Sequence, residues 1–260
     1  MDKGIIFTQM EEIMRYQPIE IFNSFNQLLA IESTRLGGVS NVPFSSLNLG
    51  TFTDDHKASV QQNKEILYAD LGIHAGQIAS SFQCHGNEVL NVVEPGYYEG
   101  YDALITNKKN IFLQILVADC TPILLFDPKK EVVAAIHAGW RGTANAIVQK
   151  TLDEMTLHFQ TDPSDCFAYV GTCISQPYFE VDEDVAAYFD REFYVFDKLK
   201  DKYFIDLKGC NMRALTDAGV LKNQIVVSPF CTVKDNHLFF SHRHEKGTTG
   251  RFGVITGIRK

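Results

Sequence analysis

The 260-residue chain sets 24 lysines and arginines against 32 aspartates and glutamates, a formal net charge of −8. With no basic run or stripe, this argues against nucleic acid as a natural partner. Its 45% hydrophobic content suits an ordinary buried core; no leader pattern and no apolar run of membrane-spanning length is found. Six cysteines without CxxC spacing do not suggest a disulfide framework, so a cytoplasmic protein with reduced thiols and no membrane partner is expected.

In chain order, strands are expected over residues 19–25 and 28–33, followed by a glycine-bearing loop at 34–40 and an irregular stretch at 45–50. Asp54 and Asp55 are placed to cap a helix running to about Leu71, with Val60, Lys64, Leu67 and Leu71 near one stripe and Gly72 as its stop. Strands at 78–83 and 88–93 flank Cys84-His85-Gly86-Asn87, and residues 111–118 are apolar enough for a central strand. A hairpin follows. Beyond it, a helix entered near Thr143 buries Ala144, Ile147, Val148, Leu152, Met155 and Phe159. Helices at 183–193 and 208–218 and strands at 167–171, 224–227 and 237–241 complete the reading. Locally paired strands with helices between them predict one α+β domain over residues 1–260, with mixed sheets flanked by helices.

The hairpin carries the chemistry. A loop centred on Pro128-Lys129 would place Cys120 directly opposite His137, both side chains on one face of the sheet. With His85 in its glycine-flanked turn, two imidazoles and one thiol form an open three-ligand set suited to zinc, and copper also accepts such donors. The plain alternative is a buried cysteine with two structurally satisfied histidines. Phosphate-loop, dinucleotide and nucleophile-elbow motifs are absent.

Several strings occur in a fixed order: Thr34-Arg35-x-Gly37-Gly38-Val39-Ser40, Ser46-Leu47-Asn48-Leu49-Gly50, Gln83-x-His85-Gly86, Asp102-Ala-Leu-Ile-Thr106, Ala118-Asp119-Cys120-x-Pro122 and His137-Ala-Gly-Trp-Arg-Gly142. Cys231-Thr232, Phe240-Ser241-x-Arg243 and Thr249-Gly250-Arg251 follow. Together they resemble the YfiH/YlmD family of laccase-domain, multicopper polyphenol oxidase-like proteins, from about Ala30 to Thr256. The resemblance implies a mixed α/β sandwich and zinc ligands at His85, Cys120 and His137. It also implies zinc-dependent phosphorolysis of adenosine, inosine and methylthioadenosine, and deamination of adenosine. The chain departs from the family pattern at Gly171-Thr172-Cys173-Ile174, where Gly-Pro-x-Ile is usual, and at His242 and His244, which read as surface histidines.

Other candidates have two readings each. Arg35, beside Gly37-Gly38, is an anion clamp or a salt bridge. Arg141, at a helix entry, holds an anion or braces Trp140. Asn48 binds a sugar hydroxyl or holds its own loop. Asp102 and Asp119 are the nearest carboxylates for proton shuttling, and Cys84 reads as core. In the zinc reading, Arg35 or Arg141 holds phosphate while the purine leaves. The competing readings make Cys120 a nucleophile activated by His137 for amide hydrolysis of peptidoglycan precursors, a copper oxidase, or a zinc-stabilised binding module. The small-molecule partners implied are a purine nucleoside and phosphate; oligomeric state is left open.

Overall fold

In a computed structural model, which describes residues 14–260, the chain opens with β1 (Tyr16–Pro18), a 3₁₀ turn (Glu20–Phe22) and β2 (Leu28–Ser33). Helix α1 (Lys57–Asp70) precedes β3 (Ile78–Phe82), β4 (Val89–Asn91), β5 (Gly96–Glu99), β6 (Ala103–Thr106) and β7 (Phe112–Val117). The hairpin of β8 (Thr121–Asp127) and β9 (Val132–Ala138) leads to α2 (Trp140–Ala144), α3 (Ile147–Phe159) and β10 (Phe167–Val170). Then come β11 (Glu180–Val181), α4 (Glu183–Ala186), β12 (Tyr194–Asp197), β13 (Lys202–Ile205), α5 (Leu207–Asp217), β14 (Ile225–Val227) and β15 (Phe252–Ile258).

One sheet has the order β1-β2-β15-β7-β3-β5 and a second the order β14-β10-β8-β9-β6-β4, each mixing parallel and antiparallel pairs; β11-β13-β12 form a small third sheet. Alternation along the strands stacks the two large sheets. Leu113, Ile115 and Val117 of β7 face Leu124 and Phe126 of β8 and Val133 and Ala135 of β9 in one core. The other face of the first sheet buries Phe112 and Ile255 against Leu67 of α1 and Leu71 just past its end. The outer face of the second packs Ile123, Leu125 and Ile136 under Val148, Leu152 and Met155 of α3. The expected α+β sandwich is therefore a helix–sheet–sheet–helix stack, the arrangement that buries both faces of each sheet.

Several local expectations are corrected. Residues 19–25 form no strand: Ile19 and Phe22, both buried, are three apart, the spacing of the 3₁₀ turn they occupy. Asp55 does not cap α1 through its first turn. Its carboxylate accepts from Ser40 Oγ at 2.6 Å and Asn48 Nδ2 at 2.9 Å, and His56 stands at the N-cap without a side-chain bond. The helix expected from Thr143 is split by Ala146 at φ 56°, and that at 183–193 ends early, with Phe189 and Phe193 packing against the small sheet. Residues 237–241 are turns. Phe239 and Phe240 are consecutive and both buried, which defeats the alternation of a one-sided strand. Strand β15 carries no clear strand signal because Gly253 and Gly257 interrupt it, yet it is central. A Cβ at Gly257 would lie 2.5 Å from the Ile111 carbonyl oxygen.

Gly72 does end α1, at φ 65°. Among the described residues no helix is long and apolar enough to cross a membrane, and all six cysteines are free.

Candidate metal centre and its pocket

Two connections and one strand end meet at one end of the sandwich. The chain leaves β7 in the first sheet and enters β8 in the second through Ala118-Asp119-Cys120. It makes a similar crossing from β3 to β4 through a turn that holds His85. His137 sits near the end of β9, on the same strand face as Val133 and Ala135, and so looks into the gap between the sheets. Both crossings turn sharply: Asp119 has φ 89° and His85 φ 61°, left-handed values that non-glycine residues adopt at a cost.

The hairpin register differs from the expected one by two residues. Pro122, not Cys120, lies opposite His137, because the loop is Pro128 to Glu131 and Asp127 Oδ1 accepts from the amides of Lys129 (2.9 Å) and Lys130 (3.1 Å). A slip of two keeps every side chain on its face, whereas a slip of one would have inverted them. Cys120 still meets His137, diagonally and just beyond the strand.

The ligand atoms of His85, Cys120 and His137 all lie within 4.8 Å of one another, and the two imidazole rings are 4.8 Å apart at 78°. His85 is exposed, Cys120 half-buried and His137 buried, so the cluster opens to solvent on one side. Gly139 leaves the space it needs. A Cβ there would stand 3.2 Å from both Cys120 Sγ and His85 Cδ2. A soft thiolate, two imidazoles and this cleared cradle fit a zinc-type ion with a fourth position left for substrate or solvent.

Asp102 organises the cluster from behind. Its Oδ1 lies 2.7 Å from His137 Nδ1 and accepts from His85 N at 3.0 Å. Its Oδ2 accepts from Gly86 N at 2.7 Å and from Cys84 N and Sγ at 3.2 and 3.1 Å. One carboxylate thus fixes the His137 ring, leaving Nε2 for a ligand, and holds the three successive amides of the His85 turn. Burial acts to raise this carboxyl, but the His137 imidazole and the Cys84 and Gly86 donors hold it down at about 2. Burial likewise acts against ionising Cys120 and protonating His137. Their mutual attraction, with Asp102 behind the ring and His85 beside the sulfur, reverses it, lowering the thiol and raising the imidazole.

The cluster lines a pocket of about 480 Å³. Arg251, His242, Asp119, Phe52 and Phe82 are also on its walls. Arg251 Nη1 donates to the carbonyls of Thr249 (3.0 Å) and Gly250 (2.9 Å), and its Nε and Nη2 have no partner among the described residues. Burial lowers its pKa while Cys120 and Asp119 pull it back up. Asp119 accepts from Thr232 Oγ1 (2.5 Å), Ser241 Oγ (2.7 Å) and Arg243 N (2.6 Å), which fixes the first crossing.

Three residues expected at the site are placed elsewhere. Arg35 is the salt bridge of its two readings. Its guanidinium binds Glu245 at 3.0 Å and the carbonyls of Ser45 and Asn236, with Phe240 4.3 Å beneath it. Asn48 is wholly buried and holds its loop, accepting from Gly50 N and Arg251 N. Arg141 is exposed and lies 4.4 Å over Trp140, off the pocket wall. Asp102 is buried behind His137 and does not line the pocket, Cys84 is exposed rather than core, and His242 reaches the pocket while His244 does not. Arg251 was visible in the Thr249-Gly250-Arg251 string, but nothing in the sequence singles out Phe52 or Phe82.

A family model described as multi-copper polyphenol oxidoreductase laccase matches residues 29–259. The chain is 33% identical over 249 residues to the purine nucleoside phosphorylase YlmD of Bacillus subtilis, covering 90% of each chain. It is 38% identical over 229 residues to a purine nucleoside phosphorylase of Deinococcus radiodurans, covering 87% of each. Among solved structures, the hypothetical protein YfiH of Bacillus licheniformis superposes with a TM-score of 0.89 at 30% identity, over 95% of this chain and 97% of that one. YlmD of Geobacillus stearothermophilus gives 0.87 at 31%, over 92% and 94%.

Proposed function

The chain belongs to the YfiH/YlmD laccase-domain family, and from that premise we propose that it is a zinc-dependent purine nucleoside phosphorylase of the cytoplasm. The observation that carries the reading is the joining, in one pocket, of a three-ligand cluster and Arg251, whose Nε and Nη2 have no partner among the described residues. His85, Cys120 and His137 hold the metal, and relatives bear the name purine nucleoside phosphorylase. Zinc bound there supplies Lewis acidity and positive charge at the pocket floor.

Arg251, not Arg35 or Arg141, holds the phosphate. In the reaction a hydrogen phosphate oxygen bonds to ribose C1′ as the bond from C1′ to the purine nitrogen breaks. The electron pair stays on the purine, which takes the proton that phosphate gives up. The products are ribose 1-phosphate and free base. Asp102 contributes by holding the His137 ring and the His85 turn still through the reaction. Adenosine, inosine and methylthioadenosine are the expected substrates. Deamination of adenosine is the secondary activity, with Asp119 as the carboxylate on the pocket wall.

The test is metal content and turnover of untagged protein with adenosine and phosphate, for wild type, Cys120→Ala and Arg251→Ala. About one zinc per chain and release of adenine with ribose 1-phosphate by wild type alone supports the reading. For Arg251→Ala, phosphate KM should rise while zinc stays bound. Inosine in place of adenine would mark deamination. Wild-type protein that holds no metal and leaves every nucleoside intact sinks it.

A second reading is favoured by one observation: Cys120, His137 and Asp102 form a nucleophile–base–orienting chain, with 2.7 Å between the last two. That arrangement suits a metal-free amide hydrolase acting on peptidoglycan precursors. Chelation separates the two, since it would stop phosphorolysis and free the Cys120 thiolate. The copper oxidase reading is weakest. Among the described residues only one three-residue cluster is assembled, too few ligands for several copper ions.

A further inference from the structure

The pocket rim carries three large aromatic side chains that water reaches freely: Phe52 is 68% exposed, Phe82 47% and Tyr97 50%. Single exposed apolar residues are ordinary, but here Phe52 packs against both of the others. Phe52 lies 5.2 Å from Phe82 at 85° and 6.0 Å from Tyr97. They come from three elements, the loop after Gly50, the end of β3 and β5. Of them, Phe52 and Phe82 line the pocket itself.

The loop that presents Phe52 is held at several points. Asn48 Oδ1 accepts from Gly50 N at 2.9 Å and from Arg251 N at 2.8 Å, tying the loop to the arginine strand. Thr53 Oγ1 donates to Gly50 O at 2.8 Å, and Lys64 Nζ reaches Thr51 Oγ1 at 2.7 Å. A Cβ at Gly50 would stand 2.8 Å from Arg251 Cγ. The aromatic rim and the free guanidinium are therefore neighbours on one preorganised wall. Beside them, both ends of the Gln83 amide pair with the Leu116 backbone, at 2.8 and 2.9 Å, which fixes this side chain in place.

We infer that the nucleobase stacks on the Phe52 ring, with the Phe82 ring standing at 85° beside it as the corner of the site, and with the ribose between this corner and Arg251. The inference rests on the nucleoside reading above and adds to it the residues that recognise the base. A flat π-face needs no polar reader: ring area and exclusion of water supply the attraction.

The test measures KM for adenosine and for phosphate separately, with equilibrium binding of adenosine in the absence of phosphate. Wild type, Phe52→Ala, Phe82→Ala and Phe52→Trp are compared, each first checked for its thermal midpoint and bound metal. Phe52→Ala should weaken adenosine binding and raise its KM by about tenfold, with phosphate KM and kcat within about twofold, and Phe52→Trp should restore the affinity. Phe82→Ala reports the same wall from a strand; should it fail to fold, the Phe52 pair decides alone. Adenosine affinity unchanged in Phe52→Ala would overturn the assignment. If wild type binds adenosine but does not cleave it, the phosphorylase reading fails while the stacking surface is still judged by the binding series. No adenosine binding by wild type overturns both.

Discussion

Asp102 and Glu32 both sit in the interior with no exposed surface, and their surroundings drive them in opposite directions. Asp102 faces an imidazole and three successive amides and is held low, at about 2. Glu32, on β2, faces only neutral donors from the second sheet and its own edge: Thr172 N and Oγ1 at 2.7 Å, Tyr169 Oη at 3.0 Å and Gln17 Nε2 at 2.8 Å. Burial there wins over those hydrogen bonds, and the carboxyl is raised. Donor count alone therefore does not fix the charge of a buried acid. A cationic partner does: the imidazole beside Asp102 has no counterpart beside Glu32.

Breaking the Asp102 side of this contrast should have the largest effect. Asp102→Asn turns an amide group toward converging N–H donors and leaves His137 without its charged partner. Metal affinity should fall by about 10–100-fold, with a stability loss of about 3 kcal/mol, the usual consequence of removing one member of a buried pair. Zinc titration and urea unfolding of the metal-free protein measure the two. An unchanged zinc affinity would show that the histidines are positioned without it.

Next in size is the Glu32 side. The Thr172 amide is one of the Glu32 donors, and proline has no N–H to give. Thr172→Pro should cost about 2 kcal/mol by stranding a buried acceptor. Adding Glu32→Leu should recover part of that, a coupling readable in a double-mutant cycle. Additive effects would show that the two sites do not communicate.

The pH dependence sharpens the comparison further. A carboxyl whose folded pKa is raised contributes stability in full below its unfolded value of 4.5 and loses it as pH rises through the folded value. Glu32→Gln should therefore gain on wild type as unfolding is followed upward from pH 4. A relative loss over that range would reverse the sign assigned to Glu32. The smallest effect belongs to Cys84→Ala, which removes one exposed donor from Asp102. Its cost should stay within about 0.5 kcal/mol, checked by the same unfolding assay.

What the sequence revealed follows this division between local and long-range causes. His85, Cys120 and His137 were legible because the first sits in a turn before Gly86 and the other two flank one recognisable hairpin, and strand parity survived the two-residue error in register. Arg35, Asn48 and Arg141 were assigned from neighbouring glycines or a helix start. Their actual partners, Glu245, Arg251 and Trp140, lie far off in the chain or depend on packing. Strand β15 escaped for a similar reason. Its glycines weaken any local strand signal, and only the backbones on either side explain them. The aromatic rim left no trace, since nothing local separates an exposed phenylalanine from a buried one.

The two crossings that deliver His85 and Cys120 pass from one large sheet to the other, and His137 projects from the second. The ligand set therefore exists only in chains whose sheets have already docked. An ion captured there would act as a rivet across the sandwich, slowing its opening.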